Sequence, residues 1–97
     1  MGVLARERLV KQPGESLLFA MDFEDLLESG ETIATIVDVT ATPTGLTISA
    51  KAIETDTLGV EFRIVGGTDG VSYQVTVKVT TSAGNTREGD GHLALED

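Results

Sequence analysis

From Val71 to Thr80 the chain alternates without a break. Val71, Tyr73, Val75, Val77 and Val79 are apolar or aromatic, and Ser72, Gln74, Thr76, Lys78 and Thr80 fill the gaps. A period of two belongs to extended chain, because successive side chains on a strand point to opposite faces. A helix would scatter the same residues around its whole circumference. One face of this strand is greasy and the other wet, which is the pattern of an antiparallel sheet packed on one side. The greasy face needs a second layer to cover it.

The rest of the chain repeats the pattern in shorter pieces. Leu17, Phe19, Met21 and Phe23 alternate with Leu18, Ala20, Asp22 and Glu24. The β-branched stretch 32–40 suits a strand, with Ile33, Thr35, Val37 and Val39 on one face and Ile36 interrupting the other. Leu46 and Ile48 point inward from a short strand, and Lys51 to Leu58 holds an edge strand around Ala52 and Ile53, then a turn at Thr55-Asp56. Val60, Phe62 and Ile64 make another inner face. The last strand spans Arg87 to Leu95, with Gly89-Asp90-Gly91 expected to mark a bulge. Between these runs stand a single helical turn at Phe23 to Gly30, with Gly30 in the left-handed region, and turns at Ala41–Gly45, Gly66–Gly70 and Ser82–Thr86.

About seven short strands in 97 residues indicate an all-β antiparallel sandwich. The stretch Asp69-x-Val71-x-Tyr73-x-Val75 is similar to the tyrosine corner of immunoglobulin domains, where a strand-entry Tyr bonds back to the backbone. Tyr73 and Asp69 are therefore structural candidates in an immunoglobulin-like sandwich. Val75 stands where those domains place a cysteine. The chain has no Cys and no Trp, so packing alone must replace the disulfide pin. The sandwich occupies residues 16–97.

Residues 1–15 read differently. They hold Arg6, Arg8 and Lys11, three of the seven basic residues, and end in the breaker Gln12-Pro13-Gly14-Glu15. Val3, Leu4, Leu9 and Val10 make a short amphipathic set. The segment is either an unordered end or an arm that orders on a neighbour.

Sixteen acidic residues against seven basic leave a formal net charge of -9. Phosphate-backbone binding needs a basic stripe, and Lys51, Arg63, Lys78 and Arg87 are scattered. Nucleic acid and anionic membranes are not expected partners. No run approaches the ~20 apolar residues of a spanning helix, nor does the start resemble a signal peptide, so a cytosolic site of synthesis and assembly is expected.

Catalytic chemistry finds little footing. His92 is the only histidine, and alternation with Leu93 and Leu95 turns it outward, away from any nucleophile. Asp22, Glu24, Asp25, Glu28 and Glu31 cluster but match no calcium loop, and read as a solvated acidic turn. The glycine-rich 66–70 loop leads into a strand, not into a helix N-terminus that would receive phosphate. Three Phe and one Tyr, all on inner faces, provide no platform for stacking sugars. No enzyme activity, cofactor or metal is expected.

Several short motifs follow one another along the chain. They are Lys11-Gln12-Pro13-Gly14-Glu15, Met21-Asp22-Phe23-Glu24-Asp25-Leu26-Leu27, Gly30-Glu31-Thr32-Ile33, Gly45-Leu46-Thr47, Gly66-Gly67-Thr68-Asp69-Gly70-x-x-Tyr73 and Thr80-Thr81-Ser82-Ala83-Gly84-Asn85-Thr86. This order resembles the small immunoglobulin-like virion proteins of tailed bacteriophages and prophages, of the fibre-to-tail adaptor or connector type. It covers residues 11–97 and leaves 1–10 outside. The resemblance implies a structural, non-enzymatic part of the virion, assembled in the bacterial cytoplasm, that contacts other phage structural proteins and forms a homo-oligomeric ring. Contacts would run through the arm (Leu4, Arg6, Arg8, Leu9, Val10, Lys11) and the edge bearing Lys51 and Ile53. A capsid decoration or host-surface (glycan) adhesion module is the alternative.

Overall fold

The computed structural model describes residues 3–4 and 8–96, with side chains from Val10 onward. Eight strands run through them: β1 (Val3–Leu4), β2 (Arg8–Lys11), β3 (Ser16–Asp22), β4 (Ile33–Thr42), β5 (Leu46–Ile53), β6 (Gly59–Gly66), β7 (Ser72–Thr81) and β8 (Thr86–Leu95). A 3-10 turn, Glu24–Leu26, follows β3, and Gly30 closes the segment at φ 81 as its sequence predicts. The strands form two four-stranded sheets, β1-β3-β6-β5 and β2-β8-β7-β4. Strands β3, β6, β5 and β4, β7, β8 thus take the B, E, D and C, F, G places of an immunoglobulin domain. The N-terminal pair β1 and β2 shares the first place, one piece on each sheet. Pairing from β3 onward is antiparallel, whereas β1 joins β3 and β2 joins β8 in parallel.

The inner faces meet as the alternation predicts. Phe19, Met21 and Phe23 from β3 and its end, with Val60, Phe62 and Ile64 from β6, pack on Tyr73, Val75, Val77 and Val79 from β7 and Leu93 and Leu95 from β8. All four aromatic residues are buried. At ~25 cal/mol per Å2 of apolar surface removed from water, this layer is the main favourable contribution to folding.

Tyr73 makes the expected corner. Its ring is buried, and its hydroxyl oxygen accepts a hydrogen bond from the Thr68 backbone N–H at 3.1 Å. Val75 fills the cysteine place with a methyl-lined contact. Asp69 lies exposed in the same loop.

Three expectations need correction. The register of β4 on β7 shifts twice, between Ile33 and Thr35 and between Ile36 and Asp38. Each extra residue inverts the face parity of the strand beyond it. Ile36 therefore packs on the core, while Thr35 and Val37 face solvent. In β8 no bulge forms, and its register on β7 is unbroken from Thr86 to Ala94. Gly89 instead faces the core, where its bare Cα makes room for Met21 and Phe23. Finally, residues 46–53 form one strand, not two, kinked by a register shift between Ser49 and Ala52 where Ala50 takes φ 52.

Candidate protein contact surfaces

A sandwich of two open sheets has two open sides, and unpaired backbone N–H and C=O groups concentrate there. On one side the outermost strands are β1 and β2; on the other they are β5 and β4.

The first side is formed by the two N-terminal strands. Leu4 pairs with Asp22 through β1, and Arg8 and Leu9 stand opposite His92 and Leu93 through β2. Arg6 lies outside the described residues. Val10, opposite Ala94, is 54% exposed. Lys11 departs from the expected pattern. It sits opposite the buried Leu95 and is itself only 1% exposed. A buried ammonium is costly unless its protons are bonded. Here Nζ donates to the carbonyl oxygens of Gly66 at 2.7 Å, Gln12 at 2.8 Å and Pro13 at 3.4 Å. Its charge is turned into its own subunit and is not presented to a neighbour. The turn behind it closes through Glu15, whose N–H donates to the Gln12 carbonyl and whose carboxylate accepts from the Gln12 N–H.

The opposite side is more open. Lys51 is exposed at the kink in β5, and Ile53 is half-buried against the core. A groove of about 310 Å3 runs between β4 and β5, with Val39, Ala41, Leu46 and Ile48 in its wall. Val37, at the second bulge of β4, is 52% exposed. On the outer face of the β3–β6 ladder, Leu18 and Val65 are also exposed and sit diagonally across the pairing, opposite Arg63 and Ser16 respectively. By alternation alone Val37 counts as inward and Leu18 as outward. The available signal was an apolar residue on the wet phase, as in Leu17-Leu18 and Ile64-Val65.

The acidic segment after β3 is only partly a solvated turn. Glu24, Asp25 and Glu28 are exposed, whereas Glu31 is buried. Its carboxylate accepts from the Thr81 hydroxyl at 2.5 Å, the Glu28 N–H at 2.8 Å and the Asn85 side-chain amide at 2.9 Å. These bonds, the Thr81 hydroxyl foremost, pull its pKa from 4.5 down to about 2. Glu31 therefore pins the 3-10 segment to the β7–β8 turn. Glu54 goes the other way: burial first, then the carboxylates of Asp56, Glu61 and Asp22, push its pKa up. Among the described residues no group of three or more His, Cys, Asp or Glu side chains is placed to hold a metal. His92 is exposed, as alternation predicts.

Comparison with known proteins agrees with this geometry. A cysteine protease inhibitor from Entamoeba histolytica has a similar solved structure, with a TM-score of 0.51 at 11% identity over 95% of this chain and 87% of that one. The likeness extends to the fold alone. No curated protein sequence matches significantly. Residues 11–93 match the family model of the podophage GP4 fiber-tail adaptor protein gp77. The match begins at the caged Lys11 and takes in both sheets from β3 onward. The chain therefore belongs to this phage fibre–tail adaptor family, and is a structural, non-enzymatic tail component of the virion that contacts other phage structural proteins.

Proposed function

We propose that the adaptor works as a ring of identical copies at the fibre–tail junction, with residues 1–15 as the arm and 16–97 as a rigid spacer. The observation that carries this reading is the separation of charge along the chain. Residues 1–11 hold three basic side chains and one acidic, whereas residues 12–97 hold four basic and fifteen acidic. Arg6 and Arg8 of one copy meet the acidic body of the next, and the β5 edge around Lys51 and Ile53 supplies the second contact. Opposite charges on two parts of one chain favour association of like copies and steer their encounter.

Mass measurement of the purified chain in solution tests this. A defined oligomer at low salt that shrinks as salt rises is expected, since screening weakens exposed charge pairs. The double variant R6E/R8E is expected to remain monomeric under the same conditions. An unchanged oligomer in that variant at low salt removes the arm from the contact.

A further inference from the structure

We infer that the sheet β2-β8-β7-β4 continues from copy to copy, with the β2 edge of one copy lying along the β4 edge of the next, Arg8 at the level of Asp38 and Val10 against Thr40. This rests on the ring reading above and adds its geometry. The strands β2 and β4 are the two outer strands of one sheet. Both run parallel to β8: β2 directly, and β4 through two antiparallel steps across β7. A neighbour brought alongside by rotation without inversion thus presents β2 parallel to β4.

The lengths match. β2 has four residues, and β4 is free of register shifts from Asp38 to Thr42. Beyond its bulge, this end of β4 is regular enough to accept a strand.

The side chains match as well. Val10, 54% exposed, stands on the outer face of the β2 edge, and the exposed Thr40 stands on the outer face of the β4 edge at the same level. Val10 lies on the outer phase of β2, opposite Ala94, in the same phase as the pairing to the exposed His92. Beyond the bulge β4 keeps the same alternation, with Asp38 and Thr40 exposed and Val39 buried, so Thr40 covers part of Val10 from water. The charges agree too: Asp38 is the one charged residue of β4, and Arg8 begins β2. The burial of Lys11 in its carbonyl cage holds β2 on its own sandwich, so the edge offered to a neighbour is a fixed template. Two different edges in contact make a heterologous interface, the type that closes into a ring when the rotation allows it.

The absence of native cysteine makes the test direct. Full-length V10C and T40C, each at a solvent-facing position, are purified separately, mixed and oxidised with copper phenanthroline. A disulfide-linked dimer in the mixture, absent from either variant alone, is expected. In parallel, D38K is expected to weaken association about tenfold, and R8E in the same chain to restore it. An oligomer of unchanged mass in D38K, with no V10C–T40C crosslink, overturns this inference and leaves the ring reading standing. A crosslink in V10C alone also overturns it, since it means a two-fold contact. A chain that stays monomeric at every concentration and salt overturns both.

Discussion

The hydroxyl oxygen of Tyr73 lies 2.9 Å from the point a Cβ on Gly45 would occupy, so the glycine of the β4–β5 turn is the space into which the corner tyrosine fits. Gly45 also takes φ 134, where L side chains are strained. The turn between the sheets and the entry to β7 are therefore one packing unit, although 28 positions separate them in sequence.

Replacing Gly45 with Ala combines backbone strain with a contact on a buried ring. A destabilisation of about 2–3 kcal/mol is expected. For a domain of this size that corresponds to a fall of roughly 10–20 °C in melting temperature. Tyr73→Phe keeps the ring and leaves the Thr68 N–H without its acceptor, for about 1 kcal/mol. If G45A cost no more than Y73F in thermal melts, the close approach would have no energetic weight.

Glu31 makes the fold sensitive to acid. Its folded pKa of about 2 lies below the ordinary 4.5. A carboxyl with a depressed folded pKa contributes stability above its unfolded pKa and loses it as pH falls through the folded value. Melting temperature is therefore expected to drop between pH 4.5 and pH 2, and E31Q to flatten that slope while lowering stability at neutral pH. Glu54 contributes with opposite sign, since its pKa is raised and its protonation on acidification relieves a burdened group. A melting-temperature profile of E31Q parallel to that of the parent chain through this window would remove Glu31 as the source.

Alternation alone located most of the core, because a strand packed on one face must keep its parity. Val60, Phe62 and Ile64, and Tyr73 through Val79, are buried as their phase requires. The corner at Tyr73 was legible for the same reason, with the turn glycines at 66, 67 and 70 all at positive φ. Features that break parity or join distant parts of the chain escaped. The bulges in β4 carry no marker residue beyond Ile36, so Val37 read as inward. Gly89 read as a bulge because a lone sequence does not show Met21 and Phe23 standing over it. Lys11 read as a contact charge of the arm, and Glu31 as a solvated one, because their partners, Gly66 and Thr81, lie 55 and 50 residues away. Of the contact surfaces, the basic arm was visible in composition, while the β2 and β4 edges depend on strand order.

Lys11 locks β2 to the sandwich. Lys11→Met keeps much of the apolar stem and deletes the three donors, leaving the Gly66 carbonyl without its 2.7 Å partner. Hydrogen bonds from charged groups contribute about 1.5–3 kcal/mol, and part of that is offset by no longer burying a charge. A net loss of about 1–2 kcal/mol is expected. The loss is local: amide exchange at Glu96, bonded to the Lys11 carbonyl at 3.0 Å, is expected to quicken well before exchange in β7. Uniform quickening over both sheets would mean that Lys11 supports the whole core instead.

Gly89 tests the packing between the sheets. A Cβ there would stand 2.9 Å from the Met21 sulfur and 3.1 Å from the Phe23 ring. Methionine yields easily, but the ring is fully buried and hemmed in by the opposite sheet. Gly89→Ala is expected to cost about 1–2 kcal/mol, within the usual range for overpacking. The β8 backbone itself is unstrained at this position, since Gly89 is not at positive φ, so steric pressure from Met21 and Phe23 is the whole cause. Shortening Met21 to Ala opens the space that the new methyl needs. In a double-mutant cycle measured by urea denaturation, G89A is then expected to cost less in the M21A background than in the parent chain, with a coupling of at least ~0.5 kcal/mol. Additive costs in that cycle would mean that the extra methyl is accommodated without pressing on Met21.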